Sequence, residues 1–175
     1  MTISQVNYPS SSTVAVTISL ASVASNSQGV FTAGREGTAV SNRTTLDVDH
    51  QLSGKIRTGT SPTANRNIII YAVAPLSLAS GTPTWPDVLD GTDSNETFTS
   101  TNVMNGVAKP LATLIVDSTS DRDYPFSGLS VAAAFGGSMP SDYVVFVAHD
   151  TGVNLNSTGS NHEINITRIK YENAV

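Results

Sequence analysis

Three histidines, His50, His149 and His162, are the side chains of this 175-residue chain best suited to metal binding or proton transfer. None has a partner at ligand spacing. There is no His-x-His and no His-Glu-x-x-His, the patterns that bring two imidazoles to one metal. His50 falls on the apolar side of an alternating run, where a hydrogen-bonded core or interface imidazole is the expected reading. Serine and threonine make up about a quarter of the chain, but no Gly-x-Ser-x-Gly elbow is present to activate a hydroxyl. Two acidic stretches, residues 90–96 and 117–123, carry carboxylates that could hold calcium, yet neither follows the EF-hand loop pattern. They read as solvated turn acids. Paired carboxylates for glycoside cleavage need not be close in sequence, although a single Trp leaves few rings to stack on a sugar. The expectation is a non-enzymatic protein with no cofactor, metal or catalytic residue.

Composition narrows the partners. The net charge is −5, and the nine basic residues are scattered singly. Nucleic acid binding needs a basic face or stripe, so nucleic acid is not an expected partner. No apolar run approaches the roughly 18 residues of a membrane helix, so no membrane contact is expected. The first basic residue is Arg35, so no signal peptide is expected. Cysteine is absent, which removes the disulfides on which small exported domains usually lean. Charged residues are 13% of the chain against about 25% in an ordinary soluble domain. A hydroxyl-rich β surface without transport signals suits a protein that is made in the cytoplasm, assembles into particles and leaves by lysis.

The elements that would position any site read as strands. The chain is organised around residues 124–152. There Tyr143-Val144-Val145-Phe146-Val147-Ala148 forms a short apolar run of the kind buried on both faces. Val131-Ala132-Ala133-Ala134 ahead of it reads as one tight helical turn, stopped by Gly136-Gly137 and packing Phe135 onto the core. Residues 13–19 alternate, with Val14, Val16 and Ile18 on one face. Residues 46–56 alternate again, with Leu46, Val48, His50, Leu52, Gly54 and Ile56 inward and a bulge at Gly54. Residues 67–74 are a second strongly apolar strand, ended by Pro75. These two runs suggest an antiparallel hairpin. Strands are also expected at 97–103, 111–117 and 163–171, the last bulged near Thr167-Arg168, where its phase slips by one. The sum is an all-β, two-sheet antiparallel sandwich, jelly-roll-like, of seven to nine strands. It occupies residues 13–175 behind a flexible, polar N-terminal arm of residues 1–12.

Residues 76–96 have no pattern, and long irregular segments in small domains tend to be functional. They hold Pro83, Trp85 and Pro86. Trp85 either folds back over one end of the sandwich or serves as a stiffly held anchor for a partner. Together with Tyr8 in the arm, these three residues form the candidate interface.

Several stretches carry a resemblance. They are Gly34-Arg35-Glu36-Gly37-Thr38-Ala39-Val40-Ser41-Asn42, Lys55-Ile56-Arg57-Thr58-Gly59-Thr60-Ser61-Pro62-Thr63-Ala64 and Ile68-Ile69-Ile70-Tyr71-Ala72. Residues 125–137 and the run from Asp150 to Thr158, with Asn161-His162, complete the set. From about Gly34 onward the chain resembles small virion structural proteins of tailed bacteriophages and prophages. That resemblance implies a decoration or cement protein of the capsid, located in the virion and bound to the major capsid protein or other virion proteins. A homo-oligomer is expected, with a trimer favoured. The alternative is a fibre, tail-tip or collar component that binds a host-surface glycan. The resemblance carries over no functional residue.

Overall fold

The computed structural model describes residues 4–9, 13–79 and 81–173. The chain is nearly all β, and every strand pairing is antiparallel. In chain order the strands are β1 (Ser4–Asn7), β2 (Thr13–Ala15), β3 (Ala33–Glu36), β4 (Val40–Ser41), β5 (Asp49–Arg57), β6 (Arg66–Val73) and β7 (Ser77–Ala79). They continue as β8 (Thr82–Thr84), β9 (Ser94–Thr97), β10 (Ala108–Val116), β11 (Asp123–Ser130), β12 (Asp142–His149) and β13 (Glu163–Asn173). Two short helices, α1 (Thr101–Val107) and α2 (Val131–Ala134), interrupt them. Thirteen strands among the described residues exceed the seven to nine expected, because six long strands are joined by seven pieces of four residues or fewer. Such pieces are too short to show a period.

The first sheet runs β1-β13-β5-β11, with β2 also on β13; the second runs β10-β6-β12-β3-β9, with β4 on β12. Their facing sides interlock through Leu52, Ile56, Ile164 and Ile166 from the first sheet and Ile68, Ile70, Tyr143, Val145 and Val147 from the second. β12 is buried at every position, so its other face must be covered as well. A second core does this: Tyr71, Val73, Val144 and Phe146 meet Leu89, Phe98, Met104 and Ala108. Phe98 stands edge-on to Phe146 at 5.3 Å between ring centroids, a favoured aromatic geometry. The patternless segment thus contributes Trp85 and Leu89 to a covering layer on the outer face of the second sheet, completed by Phe98 and Met104.

Several expectations are corrected. The runs at 46–56 and 67–74 do not form a hairpin. β5 pairs with β11 and β13, whereas β6 pairs with β10 and β12, so the intervening turn carries the chain from one sheet to the other. An apolar strand buried on both faces needs partners inside a covered sheet, which β5, with polar residues on its outer side, cannot provide. Residues 97–103 are no strand: β9 ends at Thr97, and Ser100 caps α1 by accepting from the Val103 N–H. β13 pairs with β5 without a register break from Glu163 to Ile169, so the phase slip at Thr167-Arg168 is not a bulge. Arg168 simply occupies an inward position opposite His50. The expected bulge near Gly54 lies instead on β11, where Ser127 and Gly128 stand between the pairs Phe126↔Gly54 and Leu129↔Leu52. Gly54 serves a different need, since a Cβ there would lie 1.9 Å from the Glu163 carbonyl oxygen.

Near the N-terminus, β2 covers only Thr13–Ala15 of the expected 13–19 run, with Val14 exposed and Val16 buried. Of the expected arm, Ser4–Asn7 form a strand on β13, with Val6 opposite Tyr171. Residues 1–3 and 10–12 lie outside the described residues. α2 is the single turn that was expected, and it is closed by Gly136 and Gly137 at φ 74° and 93°.

Candidate interaction surface

The three histidines and most acids of the two acidic stretches are engaged in contacts within the fold. At one end of the sandwich, His50 on β5 joins the two sheets. Its Nε2 lies 2.9 Å from Asp47 Oδ2 and its Nδ1 lies 2.9 Å from the Tyr143 hydroxyl of β12. Burial pushes the imidazole below its ordinary range and the phenol above its own. The protons are thereby assigned: Tyr143 O–H donates to Nδ1, and Nε2–H donates to the Asp47 carboxylate. Burial opposes the charge on Asp47, but the His50 hydrogen bond and the Lys170 ammonium hold the carboxyl below its usual range. Arg168 Nε and Lys170 Nζ each approach Asp47 to 3.7 Å. The order hydroxyl, imidazole, carboxylate is that of an acyl-transfer triad. Here the hydroxyl is a phenol, and both Tyr143 and His50 are 0% exposed, so no substrate reaches it.

The other two histidines lie elsewhere. His149 is sealed at the opposite end of β12, with Nε2 3.1 Å from the Val23 carbonyl and Nδ1 3.0 Å from the Thr151 hydroxyl. Burial lowers its pKa to about 4. Half-buried His162 accepts at Nδ1 from the Arg57 N–H and donates from Nε2 to the Asn156 carbonyl. Among the described residues no three His, Asp or Glu side chains gather in a way that could hold a metal.

The acidic stretches are tied down in the same fashion. Asp93 takes Arg35 Nε at 2.6 Å and the Ser19 hydroxyl at 2.5 Å. Asp123 accepts from Arg57 and Lys55, which hold its pKa down to about 2. Asp117 pairs with Arg122 and accepts from the Tyr124 hydroxyl. Glu36 differs. Its carboxyl is fully buried, and no cation pairs with it among the described residues. It accepts only from the backbone N–H groups of Gly91 at 2.7 Å and Asp90 at 3.3 Å.

The sequence-based interface residues divide between two places. Pro83 pairs with Leu78 in the small β7–β8 ribbon, Pro86 is buried, and Trp85 lies half-buried against the second core. Trp85 thus folds back over the sheet, with its indole directly on Gly91, where a Cβ would come within 2.7 Å of Nε1. The ribbon presents Leu76 and Leu78 outward beside it. Tyr8 lies apart, just beyond β1 on the edge of the first sheet, and is 57% exposed.

Around the first-sheet edge the structure reveals a surface that sequence reasoning missed. Val6 is the cross-strand neighbour of Tyr171, and Tyr171 lines one concavity with Leu46 and Met139. Leu46 is 74% and Tyr171 63% exposed. Leu46 was expected to face inward. Instead it takes a left-handed conformation at φ 49°, which is costly for a branched side chain. The turn that enforces it is built on Asn42, whose side chain accepts from Asp47 N–H and donates to the Asp47 carbonyl. Alternation alone placed Leu46 in the strand; only the Asn42 side chain, four residues earlier, signalled a turn.

No protein-family model matches this sequence, and neither a curated protein nor a solved structure matches it. The class defined here is that of an all-β, two-sheet antiparallel sandwich with a covering layer on its second sheet.

Proposed function

We propose that the protein is a non-enzymatic structural component of a tailed-phage virion, most readily a decoration or cement protein on the capsid. The supporting observation is the exposed apolar surface formed by Val6, Leu46 and Tyr171, with Tyr8 also exposed just beyond β1. Contiguous apolar area of this kind on a folded domain marks a contact with another macromolecule. A rigid turn that holds a leucine outward at a conformational cost is a further sign of selection for contact rather than for folding. Trp85 and the ribbon leucines supply a second apolar element on the other layer. In this reading the first-sheet edge and the Trp85 segment meet the major capsid protein or sister copies, and a trimer uses both surfaces at once. The acidic, hydroxyl-rich remainder keeps finished particles apart in solution. The rival reading is a fibre, tail-tip or collar component that binds a host glycan.

The test is binding to particles that lack the protein. Variants Tyr171→Ala, Leu46→Asp and Trp85→Ala, each first confirmed as folded by its melt, should bind more weakly than the parent. A true anchor is worth about 2 kcal/mol or more. Equal binding by all three would refute the placement. Copy number then separates the readings: hundreds of copies over the shell support decoration, and a single ring supports a tail or collar site.

A further inference from the structure

The Trp85 segment is held by few polar contacts: Asp87 accepts from the Thr99 N–H at 2.7 Å, and the others centre on Gly91. Gly91 donates its N–H to Glu36 Oε1 at 2.7 Å and accepts from the Ala39 N–H at 2.9 Å. Gly91 also forms the platform under the Trp85 indole. The turn therefore cannot leave without uncovering Trp85. Its far side is separately anchored, because Arg35 and Ser19 hold Asp93. Any opening is thus confined to the stretch between Asp87 and Asp93.

Glu36 is an unusual group to give this task. It sits mid-sheet, opposite the uncharged Phe146 on β12 and Ser94 on β9. The charged groups that face it are Asp90 on the turn and Glu96 on β9, both negative. Arg35, its neighbour on β3, is engaged with Asp93. A buried carboxylate with two like charges nearby and no cation is unfavourable, so burial and repulsion favour the neutral form. Burial is the largest cause and outweighs the Gly91 and Asp90 N–H bonds, which favour the anion, so that the pKa is raised from 4.5 to about 7.

We propose that Glu36 gates a conditional docking surface: the Asp90–Gly91 turn stays closed on the sheet while the buried carboxyl holds its proton, and ionisation lifts it. The proton passes to solvent. Lifting the turn uncovers the face of the Trp85 indole that lies on Gly91, next in the chain to the exposed acids Asp87 and Asp90. The partner that fits such a surface offers an apolar socket rimmed by lysine or arginine. This inference rests on the assignment of Trp85 as an assembly anchor, but the gate itself can be measured without a particle.

The measurement is amide hydrogen exchange of Gly91 and Ala39, whose N–H groups are released when the turn opens, compared with amides of β12. Protection is expected to be lower than in β12. Corrected for intrinsic exchange, it should fall roughly thirty-fold between pH 5.5 and 8, which follows from the two pKa values by linkage. Glu36→Gln, which cannot ionise, should show no such fall. Asp90→Asn and Glu96→Gln, at positions outside the core, should move the midpoint to lower pH by removing the neighbouring negative charges. PH-independent protection, an equal fall in Glu36→Gln, or exchange of Gly91 only together with β12 would overturn the gate. So would a midpoint unmoved by both surface variants. If the gate holds but depleted particles bind the parent equally at both pH values, the link between Trp85 and assembly is what fails.

Discussion

Two buried acid–base groups that titrate in the accessible pH range act on stability in opposite directions, and replacing Glu36 by glutamine separates them. His149 is sealed and held neutral, its pKa lowered from 6.5 to about 4. Between those values the unfolded chain takes up a proton that the folded chain refuses. Its contribution is therefore complete above pH 6.5 and lost as pH falls toward 4. Glu36, raised from 4.5 to about 7, does the reverse. The folded chain keeps a proton that the unfolded chain gives up, so this contribution is complete below pH 4.5 and lost as pH rises toward 7. Each difference between folded and unfolded chain is worth roughly 3.5 kcal/mol when fully developed. Across pH 4.5 to 6.5 the two slopes nearly cancel. In Glu36→Gln only the histidine slope remains, and half-buried His162 and buried His50, also lowered, add to it with the same sign. The assay is urea unfolding of parent and variant at intervals from pH 4.5 to 7.5, followed by Trp85 fluorescence and circular dichroism. The stability of the variant relative to the parent should improve by roughly 3 kcal/mol from the acid to the neutral end. A difference that stays constant with pH would refute the assignment of a protonated Glu36 in the folded state.

Three further outcomes follow from the same geometry. Asp47→Ala removes a buried carboxylate that faces buried His50 and the partly exposed Arg168 and Lys170, and should cost about 3 kcal/mol in denaturant unfolding; a loss under about 1 kcal/mol would mean that the His50 contact contributes little. Ile70→Ala, at a fully buried position between the sheets, should cost about 2–5 kcal/mol by the same measurement, while half-buried Ile69 should cost less. The melting temperature should be unchanged in EDTA, and a drop of several degrees would point to a cation on the acidic turns.

Strand positions were largely legible from sequence because burial writes itself into local pattern. Residues 143–148 read as a strand buried on both faces from their composition alone, and β12 is buried at every position. The single turn of α2 and its glycine stop were also local facts, set by propensity and by the left-handed φ that Gly136 and Gly137 accept. Which strands pair is a different question, because two apolar runs joined by a turn look the same whether they form a hairpin or pass between sheets. β5 and β6 are separated into different sheets by their partners β13 and β12, which lie far away in the chain. The covering layer was illegible for the same reason: Leu89, Phe98 and Met104 follow no period, and they are buried only because the outer face of β12 needs a cover. Leu46 fits a strand by alternation and is turned outward by hydrogen bonds between Asn42 and Asp47. Glu36 carries no mark in the sequence that sets it apart from any surface glutamate. Local pattern determines which segments can be buried, whereas the charge state of Glu36 and the outward face of Leu46 depend on what the rest of the chain packs against them.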